Sequence, residues 1–158
     1  MKKYILVFIA MSLLLLPTAG CAAKAGASSN DLDDVVITLE RTACFGFCPV
    51  YTLTIYGDGT VIYDGEEFVT VKDRVEATIT KEKIKQLVLE FEAIDYYSLD
   101  DNYIERTITD AQTVVTSITI DGKTKAIEHY HGDFNAPENL TALENKIDEI
   151  VNSNQWIN

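Results

Sequence analysis

The sequence predicts an α+β fold: a single antiparallel sheet of about six strands with two helices packed on one face. Three observations predict it. Short segments alternating apolar and polar residues recur between glycine-centred turns, as in half-buried strands. The linkers between successive strand segments are too short for parallel crossovers, so neighbours run antiparallel. Two longer stretches place apolar residues at helical spacing instead.

In chain order, Val35, Ile37 and Leu39 alternate with Val36, Thr38 and Glu40 and predict the first strand. Tyr51, Leu53 and Ile55 repeat that pattern, and Gly57-Asp58-Gly59 turns the chain into a returning arm at Thr60–Tyr63. Asp64-Gly65 reads as another turn, leading to a fourth strand at Phe68–Lys72. Thr80 caps a helix whose stripe is Ile84, Leu87, Val88 and Phe91. Tyr96–Thr109 has no clean period and reads as a long surface loop. Val114, Thr116, Ile118 and Ile120 predict a fifth strand, Asp121-Gly122 a hairpin turn, and Lys123–Tyr130 a sixth. Asn135 and Pro137 then read as cap and first-turn proline of a helix striped by Leu140, Leu143, Ile147, Ile150 and Val151. Trp156, with its large apolar area, is expected to fold back on the core.

The start of the chain is of a different kind. Lys2 and Lys3 precede an apolar run from Tyr4 to Leu16, then Pro17-Thr18-Ala19-Gly20-Cys21, the layout of a signal peptide over residues 1–20. Ala19-Gly20 before Cys21 resembles a bacterial lipobox, which implies that Cys21 becomes the lipid-bearing first residue. Acyl chains there would anchor the protein, each buried methylene contributing about 0.8 kcal/mol. Residues 21–34 are dominated by small and polar residues and read as a flexible tether, leaving residues 35–158 as a single domain. The expected location is the cell envelope, facing periplasm or exterior. Ala22, standing where an aspartate would redirect sorting, argues for inner-membrane retention in a Gram-negative cell.

The formal charge is −12, becoming −14 once residues 1–20, which carry two lysines and no acid, are removed. Such a surface repels nucleic-acid phosphates and anionic headgroups. There is no G-x-S-x-G elbow, no phosphate-binding glycine loop followed by Lys-Ser/Thr, and no alternating acidic calcium loop. Asp100, Asp101, Glu105, Asp110, Asp133 and Glu138 read as solvated acids, with Asp110 bracing a turn. No catalytic residue and no cofactor are expected.

Two of the three cysteines, Cys44 and Cys48, lie in the C-x3-C-P segment between the first two strands. Outside the cytoplasm such a pair oxidises, and Gly46 permits the tight ring, so a structural disulfide is expected. The alternative is copper binding or thiol redox chemistry. C-x3-C-P with a distant histidine resembles the metal motif of envelope copper chaperones of the thioredoxin fold, and His129 and His131, at i and i+2, share one face of a strand. The βαβ unit of that fold is missing. Arg41 beside the loop could bind an anion, or be explained by a partner such as Glu40 or Asp58. Tyr96, Tyr97 and Tyr103 are expected to be exposed partner contacts. The resulting partner face comprises Tyr97, Tyr103, Asp110 and Arg41, and the partner is a protein or another envelope component.

Arg41-x-x-Cys44-Phe45-Gly46-x-Cys48-Pro49-x-Tyr51, followed by Tyr56-Gly57-Asp58-Gly59-x-Val61, resembles an uncharacterised family of exported bacterial proteins, described only as a domain of unknown function. Thr109-Asp110-Ala111, Ile147-Asp148 and Trp156 extend the resemblance over about residues 35–157. It implies an envelope location and a small α+β domain, and assigns no catalytic residue.

Overall fold

A computed structural model describes residues 32–158; the expected signal peptide, Cys21 and most of the tether lie outside the described residues. The folded unit already includes Leu32, which is buried in the core and turns into Val35 through a backbone bond from the Val35 amide to the Leu32 carbonyl. Leu32, expected within the tether, thus packs in the folded domain.

The sheet has seven strands: β1 (Val36–Arg41), β2 (Val50–Tyr56), β3 (Thr60–Glu67), β4 (Arg74–Thr78), β5 (Asn102–Tyr103), β6 (Thr113–Ile120) and β7 (Lys123–Tyr130). Their order is β4-β3-β2-β1-β6-β7-β5. All pairs are antiparallel except the last: the two-residue β5 runs parallel to β7, reached through a long connection. Helices α1 (Lys81–Ala93) and α2 (Glu138–Val151) and a short α3 (Asn154–Ile157) complete the domain, with a single 3₁₀ turn at Tyr96–Ser98. Among the described residues no helix is long and apolar enough to cross a membrane.

Ile37, Leu39, Leu53, Ile55, Val61, Ile118 and Ile127 bury one sheet face, and the stripes of α1 and α2 close over them in one core. Thr80 accepts the Lys83 amide as the cap of α1. Pro137 is itself the N-cap of α2 and offers no side-chain cap, while the Asn135 side chain is turned to Glu105 and Asp133. Asp121 and Gly122 both take positive φ, the conformation of a two-residue type I′ hairpin.

The expected fourth strand is misplaced. Asp64-Gly65 does not turn: β3 continues to Glu67, and Gly65 pairs with Tyr51. A side chain at Gly65 would come within 2.0 Å of the Val71 carbonyl, so the chain needs glycine there for close packing rather than turning. Phe68 takes φ 53°, and Thr70 and Val71 donate their amides to Ile157 and Trp156 rather than to a strand. Arg74–Thr78 is the true edge strand. Trp156 packs on Tyr63 at 5.0 Å between ring centroids, covering the core as expected.

Candidate functional site

One row of the sheet runs under α2. Tyr51 pairs with Arg41, Arg41 with Val114, Val114 with His129, and His129 with Tyr103. Residues at matched register on neighbouring strands point to the same face, so this row brings polar groups from distant parts of the chain beneath one helix. From above, α2 presents Glu144 and Asp148, four residues apart and therefore on one side of the helix.

Asp148 holds the first half of the row. Its Oδ2 accepts from Arg41 Nε at 3.1 Å and Nη2 at 2.8 Å, and its Oδ1 accepts from the Tyr51 hydroxyl at 2.7 Å and Ser153 Oγ at 2.5 Å. Arg41 also donates to Tyr51 Oη and to Asn145 Oδ1. Burial works against the Arg41 charge, but the carboxylate beside it prevails and raises its pKa. Burial and the same carboxylate push the Tyr51 phenol far above its ordinary range. The anion that answers Arg41 is thus Asp148, rather than Glu40 or Asp58, and Arg41 is buried.

Glu144 holds the second half. It is completely buried, at 0% exposure. His129 Nδ1 lies 2.7 Å from its Oε1, and His131 Nε2 lies 2.7 Å from its Oε2. The two imidazoles stand 4.7 Å apart on the strand face that also carries Ile127. Burial alone would raise the Glu144 pKa, yet hydrogen bonds from the two histidines outweigh it and keep the carboxyl below its usual range. Asp133, close by, is engaged otherwise: it accepts from the amides of Asn135 and Glu105, which hold its pKa down.

Glu144, and the part Asp148 plays, are what sequence reasoning passed over. The signal was present: Glu144 lies four residues after Leu140 and three before Ile147, inside the apolar stripe, where a carboxylate needs a buried partner.

Cys44 and Cys48 form a disulfide with their Cα atoms 5.7 Å apart. The Gln112 amide ties this loop to the sheet by donating to the Thr42 and Pro49 carbonyls. Sulfurs bonded to each other offer no thiolate to a metal. The four residues of the expected partner face are not brought together. Tyr97 lies at the β6–β7 hairpin, donating to the Lys123 carbonyl. Tyr103 packs edge-on towards His129. Asp110, at φ 72°, adjoins the cysteine loop, its carbonyl accepting the Phe45 amide. Tyr96 is core, its hydroxyl bonded to Thr116.

The end of the sheet that carries the disulfide also carries exposed apolar side chains. Phe45 and Phe47 are 87% and 86% exposed, and Phe68, which meets Phe47 edge-on at 5.3 Å, Ile104, Ile108 and Phe134 are exposed as well. Beside them is an open hollow of ≈ 350 Å³ lined by Thr42, Cys44, Phe45, Arg106, Asp110 and Tyr130.

No curated protein matches the sequence. A family model does match, over residues 35–151, from β1 to the end of α2, so that it takes in the disulfide loop, Arg41, both histidines, Glu144 and Asp148. The chain belongs to the family described as Domain of unknown function (DUF6438).

Proposed function

We propose that the protein is an exported, lipid-anchored, non-enzymatic domain of the cell envelope that binds a partner protein through the end of the sheet carrying the disulfide loop. The observation that carries this reading is the pair of phenylalanines on that loop, each more than four-fifths exposed. Large aromatic side chains cost solubility when exposed, and they anchor interfaces when a partner covers them. The disulfide limits the freedom of the loop beforehand, which lowers the ordering cost of binding.

The direction of the strands supports the same reading. The chain enters β1 at Val36, beside Tyr56 and Thr119, and leaves it at Arg41, beside the disulfide loop. Five steps of about 3.3 Å along β1 separate these ends by roughly 17 Å. A lipid on Cys21 would therefore hold the opposite end nearer the bilayer, with Phe45 and Phe47 facing away. Asp110 and the Ile104–Ile108 segment belong to this end, whereas Tyr97 does not.

The test is native electrophoresis of envelopes solubilised in mild detergent, comparing wild type with F45S/F47S. Wild type is expected in an assembly larger than its own mass, and the double variant, with unchanged circular dichroism, at the mass of the free chain. Identical migration of the two would remove this end from the reading. Replacement of Tyr97 by serine is expected to leave the assembly intact.

A further inference from the structure

We propose that His129, His131 and Glu144 form a binding site for a divalent transition-metal ion, zinc being the best match. One ligand atom from each of the three residues lies within 4.8 Å of the others. Two imidazole nitrogens and one carboxylate oxygen are a ligand set that zinc accepts, at about 2.0–2.2 Å from each. In a tetrahedron such bonds set ligand atoms roughly 3–3.5 Å apart, so the site closes with modest rotation of the side chains. His131, whose side chain is 26% exposed, has room for that adjustment and leaves a solvent-side position for a fourth ligand.

The surroundings favour an ion over a purely structural cluster. Glu144 is wholly buried, and among the described residues its only side-chain partners are the two imidazoles. Arg41, the nearest permanent cation on the row, is committed to Asp148. A carboxylate taken wholly out of water is stabilised by a compensating positive charge placed against it. A divalent ion at this point supplies that charge and takes one nitrogen from each imidazole as a ligand. The backbone suits such a site, because alternate positions at the end of β7 aim both rings the same way, and α2 is pinned one turn further on by Asp148. With Cys44 and Cys48 in a disulfide, no thiolate is offered among the described residues, which favours zinc over monovalent copper.

The experiment is titration of the full chain, stripped with a chelator, with Co²⁺ as an optical probe, followed by displacement with Zn²⁺. One equivalent of Co²⁺ should bind with the intense visible band of low coordination number, and one equivalent of Zn²⁺ should abolish it. H131Q changes a partly exposed residue and should fold; it is expected to weaken binding by more than the roughly 10- to 100-fold that loss of a supporting partner costs. E144Q should behave likewise where it folds, and C44S/C48S should bind as wild type. Absence of a saturable band overturns the site. So does binding that persists unchanged in H131Q, which would assign the ion to the acidic surface.

Discussion

Replacing Asp148 with alanine removes the only carboxylate that meets Arg41 among the described residues. Four hydrogen bonds end at its two oxygens: two from the guanidinium, one from Tyr51 and one from Ser153. The pair is almost dry, with side-chain exposures of 10% and 14%. Taking away one partner of a buried pair strands the other charge and costs about 3–5 kcal/mol. Replacing both with apolar residues of similar volume avoids the stranded charge. In R41M/D148L the remaining cost is then the Tyr51 and Ser153 hydroxyls without their acceptor, about 1–3 kcal/mol each, a loss that D148A shares. Urea unfolding monitored by Trp156 fluorescence should therefore rank wild type, R41M/D148L and D148A in falling stability, with D148A lowest. Because Asp148 also fixes α2 one turn from Glu144, D148A should weaken Co²⁺ binding as well. The reasoning fails if D148A costs less than about 1 kcal/mol, or if the double variant is no more stable than the single one.

Three other perturbations test separate parts of the fold. Tyr51 and Tyr96 have phenol pKa values raised well above ordinary, first of all by burial; stability from such a group is whole below the unfolded value of about 10 and falls as pH rises towards the folded one. Y96F should thus reduce the alkaline slope of unfolding free energy by about 1.4 kcal/mol per pH unit, and an unchanged slope would show that Tyr96 ionises freely in the native state. C44A/C48A should lose about 2 kcal/mol by loop-closure entropy while keeping its far-ultraviolet spectrum, and a collapse of the spectrum would make the disulfide a condition of folding instead. Gly57→Ala places a Cβ 1.5 Å from the Leu32 carbonyl, so a melting curve should show a loss of about 1–3 kcal/mol, and a neutral result would mean that the turn at Leu32 moves freely.

The sequence was most legible where local chemistry and tertiary structure agree. The Asp121-Gly122 turn, the stripe of α1 and the alternation in β1, β2 and β6 are each set by spacing alone. Phe68–Lys72 shows the converse. Phe, Val, Thr and Val carry strong strand propensity, yet Thr70 and Val71 find their backbone partners in Trp156 and Ile157, a contact no local pattern announces. Arg74–Thr78, whose apolar members are only Val75 and Ala77, gives a weaker signal and is the strand. The short β5 is held by pairing with Glu128 and His129 and has no period to read. At the site, the histidines were visible as a pair on one strand face, and the disulfide as a cysteine spacing. Glu144 was hidden because its register partner is set by α2 docking over β7, a relation between segments rather than within one. Arg41 stood out, but its partner lies 107 residues away.

The two margins of the sheet bear on how the protein behaves when crowded. An unpaired strand edge invites another chain to add to it. At one margin β4 is only five residues long and sets exposed Arg74, Glu76 and Thr78 along its length. At the other, β5 covers β7 only at Glu128 and His129, and the uncovered part carries Lys123 and Lys125, the latter drawn to the Leu99 carbonyl and Asp101. A stacked neighbour would have to desolvate those charges along both margins. Copies gathered at high local density can therefore stay discrete, leaving association to side chains chosen for it rather than to the backbone.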